Sequence, residues 1–157
     1  MFLSYPILAA LLGMFIAQFV KIPIHYFASG ELRWNLMFST GGMPSSHTAT
    51  IISLTTAIGL TSGLHSNEFA ISVIVSLIVM HDATGVRRHA GYHAEVLNTL
   101  LVDFNLLIDT LKNPKLKKTE SREKLKELLG HQPAEVFFGL ITGIIVGVLT
   151  YQFYPFN

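Results

Sequence analysis

The chain has no cysteine, so disulfides, thiol catalysis and thiolate metal sites are excluded. It is also poor in charge. Only 13% of its 157 residues are Asp, Glu, Lys or Arg, against about 25% in a soluble domain. Whole stretches lack Lys and Arg, and the opposite ends of the apolar runs differ sharply in charge. The deficit points to a membrane protein, and no nucleic-acid partner is expected. What remains is a hydrophobic chain, 50% apolar, long enough for one domain spanning 1–157.

Four apolar segments read as membrane-crossing helices, near 3–22, 47–63, 67–84 and 134–154. The first contains only Ser4 and Gln18 as clearly polar side chains before Lys21. It approaches the roughly 20 residues that a bilayer core requires. No basic residue precedes it and Lys21 follows it, which argues against a secretory signal. The second is rich in Ser and Thr, a composition suited to packing against other helices. The fold class expected is therefore all-α, a polytopic membrane helix bundle.

All eleven Lys and Arg residues fall at Lys21, at Arg33 or between Arg87 and Lys126. With four spans these positions share one side, which the positive-inside rule makes cytoplasmic. Both termini then face outward. The 86–133 region is cytoplasmic on this reading, and a bacterial plasma membrane is the expected location. Within it, positions 93, 97, 100, 104, 107, 108 and 111 form a helical stripe that is apolar apart from His93. This predicts a helix lying on or partly entering the bilayer, with His93 pointing into the protein. Asn113-Pro114 should end that helix, and residues 120–129 read as a short charged helix stopped by Gly130. Pro133 and Glu135 suit the start of the last span.

Two stretches at the charged side could carry chemistry: Gly41-Gly42-Met43-Pro44-Ser45-Ser46-His47 and Arg87-Arg88-His89-Ala90-Gly91-Tyr92-His93. Phosphoryl chemistry needs fixed positive charge, oriented N–H groups, a nucleophile and a proton donor, and the two stretches together offer all four. Arg87 and Arg88 match phosphate oxygens bidentately, although arginines at a helix end also serve simply as anchors. Ser45 or Ser46 suits an N-cap, and the amides of that helix start attract an anion. His47 could there protonate a leaving oxygen. Asp82, at the membrane end of the third span, should have a partner such as Arg87, Arg88 or a histidine. Lys21 is either a phosphate ligand or a snorkelling interface residue. Glu135 is either support for the site or a helix-dipole partner. His25, His65, His81 and Trp34 suit interface or packing roles. His89 and His93, four residues apart, could share a metal, but the obvious third ligand, Glu135 or Asp82, is distant in sequence. No metal or other cofactor is therefore expected.

The two stretches, with Asp82-Ala83-Thr84-Gly85-Val86-Arg87-Arg88, Ala94-Glu95-Val96-Leu97-Asn98 and Leu129-Gly130-His131-Gln132-Pro133-Ala134-Glu135-Val136, resemble the divergent type-2 phosphatidic acid phosphatase family. That family is related to acid phosphatases and vanadium haloperoxidases. The resemblance covers nearly the whole chain, from about Gln18 to the last span. It implies metal-free hydrolysis of a lipid phosphate or diphosphate through a phosphohistidine. The wider superfamily uses Lys-x6-Arg-Pro, Pro-Ser-Gly-His and Ser-Arg-x5-His-x3-Asp. By that correspondence His47 is the leaving-group acid and His93 the nucleophile, with His89 as its alternative. Lys21, Arg87, Arg88 and the Gly42, Ser45 and Ser46 amides bind the phosphate. The chain departs from the pattern at Leu97, where the superfamily has Asp, so Asp82 or Glu135 would have to orient the histidine. It departs again at Ala28, in the Arg position, for which Arg88 or Arg33 would compensate. The resemblance implies a lipid phosphate (phosphatidic acid, phosphatidylglycerophosphate or a polyprenyl diphosphate) as substrate. The second function class is a non-catalytic membrane protein that binds anionic lipid headgroups in the same pocket. The small size of the bundle is compatible with a homodimer.

Overall fold

The computed structural model describes residues 4–39, 41–112 and 132–154. Every regular element among them is helical: α1 (Tyr5–Ser29), a short 3-10 helix (Trp34–Phe38), α2 (Ser46–Ser62), α3 (Asn67–Thr84), α4 (Val86–Lys112) and α5 (Pro133–Phe153). The charged helix expected at 120–129 and the Asn113-Pro114 stop lie outside the described residues.

Three helices are long and apolar enough to cross a membrane: α1, α3 and α5. The fourth expected span, α2, is shorter, at 17 residues. It occupies the middle of the bundle, packed against α1, α3 and α5. Most of its hydroxyl-bearing residues are thereby buried or half-buried, Thr61 and Ser62 excepted. Thr55 Oγ1 meets Ser76 Oγ at 2.8 Å and the Ser72 carbonyl at 3.2 Å, tying α2 to α3. Ser53 Oγ donates to the Gly143 carbonyl at 3.0 Å, tying α2 to α5. Without bulk water to compete, such hydrogen bonds and close packing hold helices together in a membrane.

The α2–α5 contact is built on glycines one turn apart. A Cβ at Gly139 would lie 2.7 Å from the Ser45 carbonyl oxygen, and one at Gly143 would lie 2.9 Å from that of Ala49. Gly147 meets Thr56 in the same way. The partners on α2 advance as the glycines advance, so α2 and α5 run parallel. On α1, Gly13 faces Ser53 and Ala49. Tyr5, at the start of α1, donates from its hydroxyl to the Gly147 carbonyl at 2.8 Å. Its ring packs edge-on to Tyr151 and against Tyr154. Tyr5 therefore marks the end of the bundle opposite Lys21, about 24 Å away along the helix.

Helix α1 runs seven residues beyond the expected 22. Residues 22–27 remain largely apolar, and Gly30, at φ 72°, closes the helix in the left-handed conformation that glycine adopts without cost. Helix α4 also begins earlier than the stripe suggested. Thr84 ends α3, Gly85 intervenes and Val86 starts α4, so Arg87–His93 is the opening of a 27-residue helix.

Gly143→Ala is expected to lower stability by about 1–3 kcal/mol, because the new methyl meets backbone that cannot yield. Denaturant unfolding in detergent micelles measures it, and no loss would disprove the close α2–α5 approach.

Candidate functional site

The charged end of the bundle gathers the C-terminal part of α1 with the starts of α2 and α5. Lys21 is 2% exposed. Its ammonium carries three donors, and among the described residues it has one hydrogen-bond acceptor, the Ser39 carbonyl at 3.2 Å. Its stem lies against Gly42, whose φ of 90° turns the backbone beside it. An ammonium withdrawn from water costs several kcal/mol unless a counter-charge or an anion compensates. Glu135 is near enough to act on it electrostatically.

Ser45 is fully buried at the N-cap of α2. Its Oγ accepts from the Thr48 amide at 3.3 Å and is 3.1 Å from the Thr48 hydroxyl. Such a cap contributes about 1 kcal/mol. Its own N–H donates to the Glu135 carbonyl at 2.9 Å, so the turn before α2 is fastened to the first turn of α5. The Glu135 carboxylate in turn accepts from the Gln132 amide at 3.1 Å. Ser46 is buried beside Ser45, while His47 is exposed at the rim. Two parallel helix N-termini thus lie side by side next to a buried ammonium. Each presents roughly half a positive charge. The combination favours a dianionic group such as phosphate.

The sequence-derived candidates divide accordingly. The structure brings together Lys21, Gly42, Ser45, Ser46 and Glu135. His47 sits at the rim of the same turn. Asp82 is half-buried at the end of α3, and Arg87 and Arg88 occupy the first turn of α4. His89 and His93 are exposed. For His93 this corrects the expected inward orientation. Among the described residues the buried positions of α4 are Gly91, Ala94 and Asn98, and α4 packs on α3. At 100° per residue His93 lies well around the helix from that face. Arg33 is exposed and ion-paired with Glu31, so it does not supply the missing arginine of the first motif.

Sequence reasoning passed over Gln18 and Ser39. Gln18, three residues before Lys21, shares its helix face, and its amide nitrogen lies 3.5 Å from the same Ser39 carbonyl. A polar residue inside an otherwise apolar span, one turn from the lysine, was the available signal. The Ser39 carbonyl left no signal, because any residue type provides one.

The sequence profile of the Divergent PAP2 family matches residues 2–146. An uncharacterized membrane protein of Bacillus subtilis (strain 168), YuiD, is 49% identical over 152 residues, covering 96% of this chain and 96% of its own length. No solved structure matches.

Lys21→Met is expected to weaken binding of inorganic phosphate at least roughly tenfold, the scale of one lost charge-assisted contact. Titration calorimetry in detergent checks this, and an unchanged affinity would remove Lys21 from the site.

Proposed function

This chain belongs to the divergent PAP2 family, and from that premise we propose that it is a membrane phosphatase acting on a lipid phosphate or diphosphate. The observation that carries the reading is the buried Lys21 ammonium beside the Gly42–Ser46 turn and the adjoining starts of α2 and α5. A buried cation beside two helix N-termini favours an anion, and apolar helices around it suit an acyl or prenyl tail. On this reading Lys21, Arg87, Arg88 and the amides of Gly42 and Ser46 neutralise the phosphate; the Ser45 amide, expected to join them, is taken by the Glu135 carbonyl and instead fastens the turn to α5. His93, or His89 one turn earlier, attacks phosphorus. His47, at the rim, protonates the leaving oxygen. Asp82 and Glu135 orient the charged groups. No metal is invoked. The pocket faces the cytoplasmic side of a bacterial plasma membrane, where the Lys and Arg residues concentrate.

A second reading is favoured by one observation: His89 and His93 are exposed on α4, and Leu97 stands one turn beyond His93. A pocket that keeps its cation and amides without a positioned nucleophile would bind anionic headgroups and leave them intact.

Phosphate release from a panel of lipid phosphates, with purified protein in detergent plus EDTA, separates the two. The phosphatase reading expects release that survives EDTA and is lost in His47→Ala and in His93→Gln, with both variants still folded. Near-normal turnover in His93→Gln would shift the nucleophile to His89. Binding without release from any lipid would establish the headgroup-binding reading. Two histidines acting as acid and base give release a bell-shaped pH dependence. A rate that is flat across pH 5 to 9 contradicts that pairing.

A further inference from the structure

Helix α4 is 27 residues long, about 40 Å, and among the described residues packs on one helix, α3. Its residues divide into three sectors at 100° per residue. Gly91, Ala94 and Asn98 are buried on one side. Leu97, Leu100, Phe104 and Leu107 form a second sector, each about half exposed or more, up to 61% for Leu107. Glu95, Thr99 and Asp103 lie on the third, exposed together with Tyr92, Val96 and Val102. A helix wholly in water would not display the second sector, and a membrane-crossing helix would not display the third.

The path of the chain fixes where α4 lies. Helices α2 and α3 are antiparallel, with Gly59 beside Phe69 and Thr55 beside Ser76. The end of α3 is therefore level with the start of α2, at the Lys21 end of the bundle. Helix α5 also starts at that end, since the Ser45 amide bonds the Glu135 carbonyl. Had α4 crossed the bilayer, residues 113–131 would have to cross back. That stretch includes Lys115, Lys117, Lys118, Arg122, Lys124 and Lys126, and a crossing needs roughly 20 mostly apolar residues. Both ends of α4 therefore stay on the Lys21 side. At that same end Phe27, Trp34 and Phe38 are exposed, 66–86% each. Aromatic side chains concentrate where hydrocarbon meets headgroups.

We propose that α4 lies in the plane of the membrane, with the Leu97–Leu107 sector sunk into the leaflet on the Lys21 side. Gly91, Ala94 and Asn98 then rest on the bundle, and Glu95, Thr99 and Asp103 face water. An interfacial helix of this kind buries its apolar face about 5–10 Å into the headgroup–acyl boundary. His93 heads the sunken sector, one turn before Leu97, and so stands at headgroup depth.

The absence of cysteine makes the test clean. Single-cysteine variants Leu100→Cys, Phe104→Cys, Glu95→Cys and Thr99→Cys carry an environment-sensitive fluorophore in full-length protein in phosphatidylcholine–phosphatidylglycerol nanodiscs. Doxyl lipids quench at two depths, near the headgroup and near the chain end. Probes at 100 and 104 should be quenched more than those at 95 and 99, on the order of threefold, and most strongly by the headgroup-proximal doxyl. Equal quenching at all four positions, or strongest quenching from the chain end, overturns the proposal. So does protection of 100 and 104 from both lipid and aqueous quenchers with ready disulfide formation between unlabelled copies, which would place a second copy on this face. Four positions on two faces guard against one variant failing to fold, since the readout is their contrast.

Discussion

The approach of α2 to α5 governs the rest of the structure. Glycines at 139, 143 and 147 let the two backbones run side by side in parallel. Parallel packing brings both N-termini to one end, and only then can the Ser45 amide reach the Glu135 carbonyl. Residues far apart in sequence become a single polar floor. The short α2 fits because it is enclosed: α1, α3 and α5 face lipid, and its hydroxyls bond to neighbouring backbones and side chains instead.

The same enclosure explains how a lysine can be buried near the end of an apolar helix. Lys21 is not extended toward water in the way that an interfacial lysine usually is. It turns inward to the Ser39 carbonyl and toward the negative charge of Glu135. The positive ends of two helices add to its field. A buried ammonium beside two helix N-termini is an arrangement that favours an anion.

Much of this was legible in the sequence. Charge-poor runs marked the helices, and Gly-Gly-Met-Pro-Ser-Ser-His announced the cap of α2. The uneven placement of Lys and Arg put the candidate residues on one side. Helix ends were less legible. Nothing polar stopped α1 at residue 22, and a single glycine, Gly85, proved enough to separate α3 from α4 without an intervening loop. The orientation of His93 was misread for a physical reason. In a soluble protein an apolar stripe faces the interior, whereas beside a bilayer the most apolar face can be the outermost one. The small residues Gly91 and Ala94, a weaker signal, mark the side that packs.

At the far end, Tyr5 fixes α1 to α5 through its bond to the Gly147 carbonyl and its contacts with Tyr151 and Tyr154. This aromatic clasp holds one end of α1, and Lys21 lies about 24 Å along the helix from it. Between them Gly13 is pressed against Ser53 and Ala49, so α1 is pinned at more than one height. A beam pinned in that way resists tilting, and the position of the ammonium is set by contacts along the whole helix.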